Sequence, residues 1–85
     1  MYELEIEPKL AKKIKRWGHK GLVKKLQNIL KNPTVYGKPL REDLAGFYKA
    51  KANPYRIVYE VDETAKVVKV IDIDTRDEIY ENFNS

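Results

Sequence analysis

The stretch FYKAKANPYRIVYEV, Phe47 to Val61, decides the fold, because two alternating segments flank Asn53–Pro54. Successive side chains of a strand point to opposite faces. With a two-residue link, Lys51 falls opposite Arg56, Ala50 opposite Ile57, Lys49 opposite Val58 and Tyr48 opposite Tyr59. One face of the hairpin then carries Tyr48, Ala50, Ala52, Tyr55, Ile57 and Tyr59, a surface suited to packing under helices. The other face carries Lys49, Lys51, Arg56 and Glu60, with Val58 among them. A slip of one residue destroys this segregation, which is the argument for the register. Asn-Pro is not a standard hairpin turn, so a bulge or longer loop is an open alternative. The register also raises a question. Like charges opposed across strands are unfavourable, so three cations on one small face need a reason.

Outward from the hairpin, the pattern predicts an α+β domain. YELEI alternates at the start, giving a short half-buried strand with Tyr2, Leu4 and Ile6 on one side. Pro8 suits a first helical position, where its missing N–H is not needed. Leu10, Ala11, Ile14 and Trp17 follow at helical spacing, and Trp17 reads as core packing. WGHKG breaks the pattern, with Gly18 and Gly21 as caps and His19 as an exposed loop residue. Leu22, Val23, Leu26, Ile29 and Leu30 form the stripe of a second helix, ended by Asn32–Pro33. TVYGKPLREDLAG reads as an irregular connection anchored by Leu40 and Leu44. Three strands follow, at about 47–52, 55–62 and 66–74, then a short helix over roughly 77–83. The order β-α-α-β-β-β implies a four-stranded antiparallel sheet with a two-helix hairpin on one face, in one domain spanning 1–85.

The charge is unevenly spread. Residues 1–60 carry 14 Lys/Arg against 6 Asp/Glu (+8), and residues 61–85 carry 3 against 7 (−4), which together give the net +4. Lys9 to Lys31 contains nine cations and no acidic residue. Such a surface fits a polyanion, most simply nucleic acid, or else serves only as a solvated face. With no cysteine there is neither a disulfide nor a thiolate metal site. The longest uncharged apolar stretch, Leu44 to Tyr48, is far short of a membrane span, and the expected location is the cytoplasm.

The open face of the sheet gathers the chemistry. In the last strand, Val67, Ile71 and Ile73 are expected to form the apolar side, interrupted by Lys69, while Asp72, Asp74 and Arg76 share the other parity. Tyr80 lies one helical turn beyond Arg76. Lys49, Lys51, Arg56, Arg76 and Tyr80 therefore meet on one side. Either they form a site, or they are ordinary exposed residues partly neutralised by Glu60, Asp72 and Asp74.

PLREDLAGFYKAKANPYRIVYEV, followed by VVKVIDIDTRDEIYENF, resembles the RelE family of toxins from type II toxin–antitoxin pairs, within the RelE/ParE superfamily. The family's ribosome-dependent mRNA interferases carry two alternate lysines on one strand and an arginine in the YR pair of the next. They add a second arginine closing the last strand and a tyrosine just after it. Here Lys49, Lys51, Arg56, Arg76 and Tyr80 fill those places. The resemblance implies a metal-independent endoribonuclease without cofactors, in which Tyr80 is the general base, Arg76 is the general acid or stabilises the leaving group, and Lys49, Lys51 and Arg56 clamp the phosphate; a lysine of lowered pKa is the alternative base. It further implies a cognate antitoxin, and small-subunit ribosomal RNA gripped by Lys9, Lys12, Lys13, Arg16, Lys20 and Lys24. Two alternatives stand beside it: a DNA gyrase inhibitor on the same scaffold, and a non-catalytic RNA-binding module. Asp74-Thr75 before Arg76 departs from the glycine-containing sequence common there, and Asp72 and Asp74 are placed to pair with Arg76.

Overall fold

The computed structural model describes residues 1–41, 45–76 and 79. Its elements run β1 (Glu3–Ile6), α1 (Pro8–Trp17), α2 (Lys20–Lys31), β2 (Lys38–Pro39), β3 (Phe47–Ala52), β4 (Tyr55–Asp62) and β5 (Val67–Asp74). The expected closing helix over 77–83, and with it Tyr80, falls outside the described residues except for Ile79, as does Leu44.

Local chemistry sets the helix ends. Pro8 opens α1, and Gly18 closes it in the left-handed region at φ 59°, donating its N–H to the Ile14 carbonyl. His19 is more than the exposed loop residue expected. It is the N-cap of α2, half-buried, and its Nδ1 accepts the Leu22 N–H at 3.0 Å. Its ring meets Tyr55 edge-on at 5.1 Å, while Trp17 stacks on Tyr55 at 4.7 Å. Gly21 therefore belongs to the first turn of α2 and is not a cap; a Cβ there would press on the His19 ring at 3.0 Å.

The β3–β4 hairpin forms in the expected register, with Lys51 opposite Arg56, Ala50 opposite Ile57, Lys49 opposite Val58 and Tyr48 opposite Tyr59. A cis Asn53–Pro54 peptide lies in the two-residue link. The sheet around it differs from the expectation of four antiparallel strands. It has five, in the order β1-β5-β4-β3-β2, and β1 runs parallel to β5. A strand's own alternation does not encode the direction of its neighbour, so the parallel pair is invisible locally. The fifth strand, β2, lies in the supposed irregular connection. Its Pro39 is tolerated because an edge strand can spare a donor.

A β-bulge between Val58 and Tyr59 of the β4–β5 ladder corrects the reading of the last strand. Tyr59 faces Val70, whereas Val58 faces Asp72, so Ile71 is the extra residue. Before the bulge the buried side chains are Val68 and Val70; after it, Ile73 opposite Ile57. Val67 and Ile71 thus leave the apolar face expected for them, and Lys69 ceases to interrupt anything, since it sits opposite Glu60 on the other side.

The main core lies between helices and sheet. Leu10, Leu22, Leu26 and Ile29 cover Ala50, Tyr55, Ile57, Tyr59, Val61, Val68, Val70 and Ile73. Val23 and Leu4, expected inside, are 41% and 44% exposed. Leu4 belongs to an edge strand, and Val23 is turned away from the stripe of Leu22, Leu26 and Ile29. A second, smaller cluster of Leu40, Val58 and Ile79, with Phe47 and Ile71 against it, covers part of the opposite face. Tyr59 ties the layers to the loop before β2: its buried hydroxyl donates to the Pro33 carbonyl at 2.5 Å. Gly37 makes room for it, because a Cβ there would collide with that hydroxyl. No helix among the described residues is long and apolar enough to cross a membrane.

Candidate active site

On the sheet face away from the helices, the register lines side chains up in rows. One row runs Lys38, Lys49, Val58, Asp72 across β2 to β5, and the next runs Lys51, Arg56, Asp74 across β3 to β5. In these two rows the cations lie on β2, β3 and β4 and the carboxylates on β5, where Lys69, opposite Glu60, adds a cation to the same face. Val58, in the same row as Lys49, is fully buried under the Leu40 and Ile79 cluster, so the charged side chains lie beside an apolar patch.

The two arginines are held by local contacts. Arg56 donates from Nη1 to the Pro54 carbonyl at 2.8 Å, which fixes the guanidinium near the hairpin link. Lys49 is half-buried and Lys51 exposed. Arg76 lies two residues beyond β5, its side chain 73% exposed, with Nε 3.8 Å from Asp74 Oδ1. The same oxygen accepts the N–H of Thr75 at 2.6 Å and of Arg76 at 3.3 Å. Asp74 thus shapes the turn that presents Arg76, as well as facing its charge. Asp74 is also the cross-strand partner of Arg56, so the carboxylate beside Arg76 belongs to the row of Lys51 and Arg56. Asp72 instead turns its Oδ1 to the Ile73 N–H at 2.8 Å.

Four of the five expected site residues are thereby accounted for: Lys49, Lys51 and Arg56 share a face, and Arg76 borders it. Tyr80 lies outside the described residues. Lys38 was missed by the sequence reading. Between Gly37 and Pro39 it gives no alternation to detect, and only its pairing with Lys49 places it beside the cluster. The helix cations Lys9, Lys12, Lys13, Arg16, Lys20 and Lys24 are all exposed, on the other layer. Lys13 and Arg16 share a groove at the sheet's end with Trp17, Asp74 and Thr75.

Such a cluster can hold a phosphodiester and stabilise additional negative charge on its oxygens, the requirement of phosphoryl transfer. A family model described as the ParE toxin of the type II toxin–antitoxin system parDE matches residues 5–80. The provisionally named toxin RelE4 of Methanocaldococcus jannaschii is 36% identical over 87 aligned residues, covering 94% of this chain and 92% of that protein. Two Mycobacterium tuberculosis proteins, toxin RelE at 42% and toxin RelG at 36% identity, match over 61% and 62% of this chain. The match spans only 54% and 61% of their own lengths. The isolated Escherichia coli RelE toxin superposes with a TM-score of 0.72 at 27% identity, over 96% of this chain and 94% of that one. The same toxin within the intact RelBE toxin–antitoxin complex gives 0.62, over 85% and 97%. The chain belongs to the RelE family of type II toxin–antitoxin toxins, within the RelE/ParE superfamily.

Proposed function

We propose that this toxin is a ribosome-dependent, metal-independent mRNA endoribonuclease. The observation that carries the reading is the register placing Lys49, Lys51 and Arg56 on one face, with Arg76 bound to the carboxylate opposite Arg56. The message's own 2′-hydroxyl attacks the adjacent phosphorus. A P–O2′ bond forms as the P–O5′ bond breaks, leaving a 2′,3′-cyclic phosphate and a 5′-hydroxyl. Tyr80 takes the 2′ proton, Arg76 stabilises or protonates the leaving oxygen, and Lys49, Lys51 and Arg56 hold the phosphoryl oxygens. Neither proton-transfer group is suited to neutral pH on its own, since tyrosine titrates near ~10 and arginine above ~12. A cation beside a phenol favours its phenolate form, and the ribosome positions the message.

The exposed cations of α1 and α2 contact small-subunit ribosomal RNA. A cognate antitoxin holds the toxin in check, as in the RelBE complex to which this chain is similar. The exposed Leu4 and Val23, in an apolar groove between β1 and the helix pair, suit an acidic amphipathic segment of it. These partners place the protein in the cytoplasm.

The test is translation of a defined message with its new 5′ ends mapped. Cuts within the translated codons are expected, falling about 100-fold or more in Arg76→Ala and in Tyr80→Phe. Full activity in both variants overturns their roles. The ParE description of the matching family favours a second reading, inhibition of DNA gyrase. Blocked supercoiling with intact message would select it, and ribosome binding without cuts would leave only a non-catalytic module.

A further inference from the structure

On the β5 side Asp72 and Asp74 stand beside Lys69 and Arg76, so carboxylates and cations alternate there. On the other side, β2 is only two residues long and pairs with Tyr48 and Lys49, ending before Lys51. A groove of about 520 Å³ opens at that edge, large enough for a small-molecule ligand. It is lined by Lys25 of α2, Tyr36, Lys38, Lys49 and Lys51, and no acidic residue lines it among the described residues. Lys38 and Lys49 stand directly opposed across β2 and β3 and concentrate positive charge at the groove. The Tyr36 ring is 38% exposed, with Lys25 Nζ 5.8 Å from its centroid.

We infer that this groove is a nucleotide subsite, in which single-stranded RNA leaving the Lys49–Lys51–Arg56 cluster turns over the β2–β3 edge. Lys25 and Lys38 take its next phosphates, and Tyr36 stacks on a base. An aromatic ring set among cations at the edge of a sheet is the combination that binds single strands without reading sequence. The inference rests on RNA as the ligand of the open face, not on its being cut.

The probe is a fluorescently labelled six-nucleotide single-stranded RNA, titrated against the intact protein at several salt concentrations, with folding followed by circular dichroism. Tyr36→Ala is expected to weaken binding about tenfold, as the loss of one stacked base does. Tyr36→Phe keeps the ring and stays within about twofold of wild type. Lys25→Ala, removing one phosphate contact, lowers the slope of log affinity against log salt by about 0.7. Unchanged affinity in a folded Tyr36→Ala protein overturns the subsite, as does an unchanged slope in Lys25→Ala. A Tyr36→Ala defect toward a poly-glutamate peptide but not toward RNA also overturns it, and makes the groove a protein-docking surface. If wild type leaves ribosome-bound message uncut while the RNA results come out as expected, cleavage falls and the subsite stands.

Discussion

Asp74 does two jobs at once, and separating them is informative. Its Oδ1 caps the N–H groups of Thr75 and Arg76 and also faces the Arg76 guanidinium. An exposed ion pair of this kind is worth at most about 1 kcal/mol, or roughly fivefold in an equilibrium. Asp74→Asn keeps an acceptor oxygen while removing the charge, so cleavage of ribosome-bound message should rise by up to about fivefold. A fall in rate would mean that Asp74 positions Arg76 and does not restrain it. Tyr59 offers a test of another kind. Burial, with the Tyr48 phenol beside it, raises its pKa well above the ordinary 10.0. An unfolded chain releases the proton near the ordinary value, whereas the folded one keeps it. The contribution to stability is therefore whole below about pH 10 and is lost as pH rises further. Thermal midpoints measured from about pH 8 to about pH 11 should fall more steeply for wild type than for Tyr59→Phe. The variant itself starts about 1 kcal/mol lower, from its lost bond to the Pro33 carbonyl.

At the scale of elements, the loop into β2 is held by one close approach. Gly37 passes against the Tyr59 hydroxyl, which is itself fixed by Pro33. Gly37→Ala forces an overpacked contact, expected to cost about 1–3 kcal/mol. For a domain of this size that is a drop in melting temperature of roughly 5–20 °C. A melting temperature within a degree of wild type would show that the loop yields without penalty. The same region shows why β2 was illegible. Two residues flanked by glycine and proline carry no alternation, and their strand character comes only from lying beside Tyr48 and Lys49. The β3–β4 hairpin was legible for the opposite reason. Its two faces differ so sharply in polarity that only one register keeps them apart.

Across the whole molecule, the helix cations and the sheet cluster lie on opposite layers, so variants can test the two groups separately. Charge reversal of Lys12, Lys13 and Arg16 together should weaken ribosome binding and flatten its salt dependence, while the thermal midpoint moves little because all three are exposed. Binding that does not change across a salt titration would leave these residues as solubility groups. Lys13 and Arg16 reach the groove beside Asp74 and Thr75, so they join the helix layer to the Arg76 end of the site.

The sequence by itself determined the helix pair, the hairpin register and the identity of the cationic face, because each rests on contrasts between neighbouring residues. Only the tertiary structure decided the parallel β1–β5 pairing, the addition of β2 and the bulge at Ile71. These depend on which distant backbone supplies the hydrogen bonds, and side-chain alternation carries no record of that. The bulge shows how much follows. One extra residue returns Val68 and Val70 to the core while keeping Asp72 and Asp74 on the face of Arg56. That sets two carboxylates of β5 in the same rows as the cations of β3 and β4.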